Sequence, residues 1–183
     1  AGGGIYNEFY YSPTLSDCLF SGNSAMVGGG IYNFYSSPTL INCTLCENTA
    51  NTGGNLNNIS SNSKLTNCII RGTGDSINNK YSAPVMTYCD IQGGYAGVGN
   101  FDADPCFVRN PSPGRDEVWG TPDDDFGDLH LLLDSPCINK GLNSANAYSG
   151  DLDGKTRLVD GSIDLGTFET SIPLLTGSPA GDN

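Results

Sequence analysis

A six-residue run returns almost unchanged along this chain. Gly2-Gly3-Gly4-Ile5-Tyr6-Asn7 reappears as Gly28-Gly29-Gly30-Ile31-Tyr32-Asn33, and Ser12-Pro13-Thr14-Leu15 as Ser37-Pro38-Thr39-Leu40. Cys18, Cys43 and Cys68 stand 25 residues apart, and Cys89 follows after 21. A degraded third copy runs from Gly53-Gly54-Asn55-Leu56 to Leu65-Thr66-Asn67-Cys68, and a fourth ends in Val85-Met86-Thr87-Tyr88-Cys89-Asp90-Ile91. A period in the twenties is the signature of a solenoid. A leucine-rich repeat needs several Leu per unit, and these units have one or two. Short apolar triplets separated by Gly, Asn, Ser and Pro fit a parallel β-helix instead, because those residues make turns. The expectation is an all-β fold of about four or five coils stacked about 4.8 Å apart.

Composition agrees once the repeat is recognised. Gly supplies 25 of 183 residues, about twice its usual share, and Asn supplies 19. Both are poor helix formers. Alternation within a strand turns residues i and i+2 to one side. It therefore directs Cys18 and Phe20, Cys43 and Leu45, Cys68 and Ile70, and Cys89 and Ile91 inward. Leu15, Leu40, Leu65 and Val85 are expected as a second inward column, and Asn42 and Asn67 as an amide row at a corner. Cys46 takes the place of Ser21 in the preceding unit and is expected to face solvent. Tyr6 and Tyr32, beside inward Ile5 and Ile31, are expected to face out, with Tyr35 near them. Such a surface could bind glycans or another subunit, or it could be an aromatic ladder that stabilises the sheet.

The repeat units resemble the bacterial right-handed parallel β-helix repeat proteins. Leu19-Phe20-Ser21-Gly22-Asn23 is similar to the Phe-x-x-Asn element of polymorphic outer-membrane-protein repeats. The second half adds Asp104-Pro105-Cys106-Phe107, Asp134-Ser135-Pro136-Cys137-Ile138, Asp151-Leu152-Asp153-Gly154-Lys155-Thr156-Arg157 and Asp164-Leu165-Gly166-Thr167-Phe168-Glu169. That order resembles the choice-of-anchor surface proteins of planctomycetes and related environmental bacteria. The resemblance implies a right-handed parallel β-helix and an extracellular or cell-surface location. It implies no reaction.

Charge divides the chain in two. Residues 1–101 carry five acids and three bases, whereas 102–183 carry fifteen acids and five bases. The expected organisation is β-helix coils over 1–98 and an acidic region over 99–183 that continues or caps the same solenoid. Asp116, Asp123, Asp125 and Asp128 suit a loop wrapped around calcium, which takes several carboxylate and carbonyl oxygens; a solvated acidic loop is the alternative. Asp151 and Asp153 form a weaker calcium candidate, the alternative being a local turn with Arg157 paired to Asp164 or Glu169. Cys106 and Cys137 are either a disulfide or two separate thiols.

A net charge of −12 argues against nucleic-acid binding, and no apolar run reaches the length of about 18 residues needed for a membrane span. Residues 1–4 have no signal-peptide pattern. The expected function is therefore a non-catalytic extracellular structural or cell-surface protein. It is calcium-stabilised and self-associates head-to-tail into a fibre through open β-helix ends, unless those ends belong to a longer parent chain. The alternatives are a glycan-binding adhesin module or a polysaccharide lyase or hydrolase. A hydrolase needs paired carboxylates, but Asp17, Asp75 and Asp90 fall in different units. The lone His130 alternates with apolar neighbours in a way that makes it structural.

Overall fold

Short strands joined by tight corners can bury their apolar side chains only by stacking on the next copy of themselves. A computed structural model, described here for residues 1–171 apart from Thr73 and Ala147, is a parallel β-solenoid. The first coil contains β1 (Ile5–Glu8), β2 (Thr14–Ser16), β3 (Leu19–Ser21) and β4 (Ser24–Ala25). The second contains β5 (Ile31–Phe34), β6 (Thr39–Ile41), β7 (Thr44–Cys46) and β8 (Thr49–Ala50). The third contains β9 (Leu56–Ile59), β10 (Lys64–Thr66) and β11 (Ile69–Arg71); the fourth contains β12 (Ile77–Lys80), β13 (Val85–Thr87) and β14 (Asp90–Ile91). Three four-stranded parallel sheets result: β1-β5-β9-β12, β2-β6-β10-β13 and β3-β7-β11-β14. Three full turns separate β1 from β12.

Register carries the repeat into three dimensions. Ile5, Ile31, Leu56 and Ile77 are in line, as are Leu15, Leu40, Leu65 and Met86, and Phe20, Leu45, Ile70 and Ile91. With Cys43, Cys68 and Cys89 these side chains form one buried core, and Cys18 packs at its edge. Met86, not Val85, completes the second column: Val85 is 57% exposed and Met86 1%. The shorter fourth copy moves the pairing by 21 residues, and 21 from Leu65 is Met86. A slip of one residue exchanges the two faces of a strand.

Each corner uses left-handed backbone at an equivalent place in every coil. Between the second and third sheets it is Asp17, Asn42, Asn67 and Tyr88, with φ of 53, 52, 57 and 51°. Asn and Asp tolerate this region better than most residues. Asn67 Nδ2 donates to Asn42 Oδ1 at 3.0 Å, and Asn42 Nδ2 to Asp17 Oδ1 at 3.3 Å, which is the expected corner row. A second row lies inside the coil: Asn7 donates to Asn33, Asn33 to Asn58 and Asn58 to Asn79, at 2.8–2.9 Å. Inward Asn is tolerable because each amide satisfies the next. Close backbone approach explains the glycine runs: a Cβ on Gly29 would lie 2.3 Å from the Thr49 carbonyl oxygen.

Among the described residues the acidic region adds no further set of strands to the stack. Past Ile91 the stack gains only a partial layer: Val98 accepts from the Tyr88 N–H, and Phe101 bridges to Asp90. The chain then turns back along the outside of the third sheet. There β15 (Phe107–Arg109) and β16 (Asp128–Leu131) form an antiparallel pair of their own. Together with Cys137, Ile138, Leu165 and Phe168 they bury the outward side chains Cys46 and Ile69 in a second core. Cys46 is thus 2% exposed rather than solvent-facing. The unit alignment gave its direction correctly, but a segment about ninety residues later covers it.

The inward amide row predicts a clear asymmetry. Replacing Asn33 by Ala leaves the Asn7 amide without its acceptor and the Asn58 oxygen without that donor, and should lower unfolding free energy by about 1–3 kcal/mol. Asn51→Ala, at an exposed position, should change it by less than about 0.5 kcal/mol. Urea titration followed by circular dichroism measures both; equal losses would sink the assignment of the row.

Candidate functional site

Two surfaces concentrate chemistry: an aromatic edge on the first two coils and the ion-paired strap that lies along the flank. The aromatic edge follows from the alternation of β1 and β5. Outward Tyr6 and Tyr32 stack with ring centroids 5.1 Å apart and planes 13° from parallel. The Tyr6 hydroxyl donates to Glu8 at 2.8 Å. Phe34 joins them, with Phe9 and Tyr35 packed edge-on at 5.6 and 4.7 Å. The first coil holds one residue more than the second between its first two strands, since Ile5 is 26 residues from its partner Ile31 whereas Leu15 is 25 from Leu40. That extra residue sits in the Phe9-Tyr10-Tyr11 turn. Phe9 and Tyr10 both take positive φ, 45 and 71°, and Tyr10 is 87% exposed. Left-handed backbone at two consecutive aromatics is uncommon, and such conformations collect at functional sites. The signal was present in the sequence as a ten-residue interval where later units have nine.

The strap is fastened by buried charge. Arg157 is fully buried; its Nε and Nη2 donate to Asp17 Oδ1 at 3.0 and 2.6 Å, and Nη2 also reaches the Gly166 carbonyl. Glu169 lies 3.7 Å from Arg157 Nη1, and its Oε2 accepts the Asp164 N–H at 3.0 Å. Burial pushes the Glu169 carboxyl up to about 8, with the Asp164 and Asp151 carboxylates adding to the rise. Burial also raises Asp164. Trp119 lies against Gly22, where a Cβ would meet its ring at 2.5 Å. Leu142 N–H reaches Asn67 Oδ1, and Thr167 N–H reaches Thr44 Oγ1. The strap therefore grips coils one to three.

The six carboxylates expected to hold calcium are not brought together. Among the described residues no group of three or more His, Cys, Asp or Glu side chains is placed to share an ion. Asp116 accepts the Val118 N–H, and Asp123 the Arg115 N–H and the Thr121 hydroxyl. Asp125 forms a two-point pair with Arg109. Asp128 and Asp153 hold opposite nitrogens of His130 at 2.6 and 2.8 Å, and Lys155 adds to Asp153. Asp151 accepts the Lys155 and Glu169 N–H groups. These bonds pull Asp123, Asp125, Asp128 and Asp153 below the ordinary carboxylate range, led in turn by Thr121, Arg109, His130 and again His130. Burial opposes protonation of His130, but the two aspartates hold its pKa above the ordinary value. The ring stacks on Phe168 at 4.0 Å, and His130 alternates outward between buried Leu129 and Leu131, as its spacing implies. The expected pairing of Arg157 with Glu169 is present; the larger contact, to Asp17, spans 140 residues and has no local signal.

Cys106 and Cys137 are not brought together either: all seven cysteines are free. Cys137 Sγ points to Asp90 at 3.5 Å, and Cys106 Sγ to its own Asp104 carbonyl. Burial raises the Cys137 thiol and so favours its protonated form. A cleft of about 490 Å³ separates the third sheet from the start of the strap, lined by Cys46, Glu47, Arg71, Asp102 and Phe107 among others. The Arg71 guanidinium that faces it is committed to Asp90 and, at 2.7 Å, to Asp102.

No family model, curated protein or solved structure matches the chain. Among the described residues no helix is long and apolar enough to cross a membrane.

The Glu169 environment sets a pH dependence. Its folded pKa of about 8 lies above the unfolded value of 4.5, so its contribution to stability is complete below 4.5 and is lost as pH rises through 8. Between those limits unfolding free energy should fall with a slope approaching about 1.4 kcal/mol per pH unit from this group. Glu169→Gln should flatten that limb. Denaturant melts from pH 5 to 9, read by the fluorescence of Trp119 in the strap, test it; parallel curves for the two proteins would refute the assignment.

Proposed function

We propose that the protein is a non-catalytic structural module of the bacterial right-handed β-helix surface class, working outside the cell. One observation carries this reading: polar side chains on successive coils are spent on one another. The inward Asn row, the corner row ending in Asp17, and the Ser12–Ser37–Asn62–Ala83 bonds at a third corner all run along the stack. Amide and hydroxyl groups used in this way make a rod whose coils are tied at several points around their circumference. The acidic strap then fastens the coils along one flank through the Arg157–Asp17 pair. The Asp116, Asp123, Asp125, Asp128, Asp151 and Asp153 carboxylates accept from protein donors, and this reading does not depend on calcium.

A second reading, glycan binding, is favoured by the Phe9-Tyr10-Tyr11 turn. Flat aromatic side chains held rigidly at a surface bury area at low entropic cost. One panel tests both readings: pectin, alginate, cellulose and peptidoglycan are incubated with the protein and assayed for new reducing ends, and the same polymers are embedded in native gels to measure retention. The structural reading expects neither turnover nor retention. Turnover would overturn the non-catalytic assignment. Retention without turnover, lost in Tyr10→Ala/Tyr11→Ala, would favour the glycan-binding reading over it.

A further inference from the structure

Among the described residues the second and third sheets gain a partial fifth layer that the first sheet lacks. Val98 pairs with Tyr88, and Phe101 with Asp90. To reach Val98 from Ile91, however, the chain crosses the end of the stack through Gln92–Gly97 and lays Tyr95 against the core. Among the described residues the first sheet stops at β12.

That edge has a defined polarity. Ile5, Ile31 and Leu56 each donate their backbone N–H to the following coil, at the carbonyls of Gly30, Asn55 and Ser76, all at 3.0 Å. By the same register the N–H groups of Ile77 and Asn79 point off the end. The inward amide row ends there as well. Each Asn passes its Nδ2 to the next Oδ1, and Asn79 Oδ1 receives from Asn58 at 2.8 Å, so Asn79 Nδ2 is the donor presented to the missing layer. Beside this edge runs a groove of about 240 Å³, lined by Ser76, Ile77, Asn79, Ile91, Gln92 and Tyr95. Lys80, exposed, stands at the last position of β12.

We propose that this groove receives an extended segment of a partner protein, which adds parallel to β12 as a fifth strand of the first sheet. Main-chain bonds give such additions their affinity, and alternate side chains give their specificity. The register assigns the chemistry: an aliphatic residue beside Ile77, an asparagine accepting from Asn79, and an acidic residue beside Lys80. The first coil supplies a template in Ile5-Tyr6-Asn7-Glu8, which has those residues in that order. A whole second copy entering coil-first would bring its second and third sheets against Val98 and Phe101, so the occupant is a free strand. The site asks nothing of the polysaccharide panel and stands or falls apart from it.

A fluorescein-labelled peptide, Gly-Gly-Ile-Tyr-Asn-Glu-Phe, titrated with the full chain and followed by anisotropy, is the test. Saturable binding is expected. Asn79→Asp keeps the acceptor for Asn58 but removes the outward donor, and should weaken binding at least tenfold. Lys80→Glu should weaken it too and reverse the preference toward the peptide with Lys in place of Glu. No saturable binding to the wild-type chain, or binding indifferent to both substitutions and to the charge exchange, overturns the proposal. So does sedimentation showing a dimer of the chain alone that Asn79→Asp dissolves, because the occupant is then a second copy.

Discussion

In-register parallel stacking is the constraint from which the rest of the molecule follows. Each residue of a coil lies about 4.8 Å from its counterpart in the next, so a side chain meets its own kind. A like-charge column under that rule would repel at every step, and the four coils through Ile91 accordingly carry only five acids and three bases. Residues that can bond or pack against themselves are the ones retained: Asn donating to Asn, Tyr6 stacked on Tyr32, Cys on Cys, aliphatic on aliphatic. Few apolar residues are needed because the coil is narrow, and the inward Asn row fills space that a wider core would give to hydrocarbon.

The strap solves a different problem. The outward face of the third sheet carries Cys46 and Ile69, which a bare solenoid would leave in water. Phe107, Leu129, Leu131 and Phe168 cover them. Docking residues 102–171, which carry fourteen acids and five bases, requires that carboxylates be satisfied locally, and the structure does so with Arg109, His130, Lys155 and Arg157. One substitution in the repeat makes sense only in this light. The corner row is Asn in coils two and three but Asp17 in coil one, and Asp17 is where Arg157 arrives. A carboxylate there closes the amide row and neutralises a fully buried guanidinium that would otherwise be costly.

Sequence reasoning reached the stack because period, alternation and turn chemistry are local. The inward cysteines, the corner row, the outward Tyr6 and Tyr32 and the outward turn of His130 are all legible from spacing. What spacing leaves out has separate physical causes. Val85 matches the second column in residue type, but the fourth copy is four residues shorter, and only Met86 keeps the column's distance of three residues from the cysteine. The cover of Cys46 comes from residues 107–168, which share no pattern with the repeat, so its burial has no local signal. In the Asp-rich loop composition shows the charge but not the backbone N–H groups and the Arg109 guanidinium that fold onto its carboxylates. The inward row of Asn7, Asn33, Asn58 and Asn79 does have a local signal, an aliphatic residue two places before Asn in each unit.

The claim that side-chain rows tie coil to coil is tested most directly by a double-mutant cycle on neighbours in one row. Unfolding free energies are measured for the wild type, Asn33→Ala, Asn58→Ala and the double variant. Direct bonding of the two amides predicts a coupling of about 0.5–3 kcal/mol, with the double variant losing less than the sum of the single losses. Additivity within about 0.3 kcal/mol would show that the two amides act independently and would contradict the account.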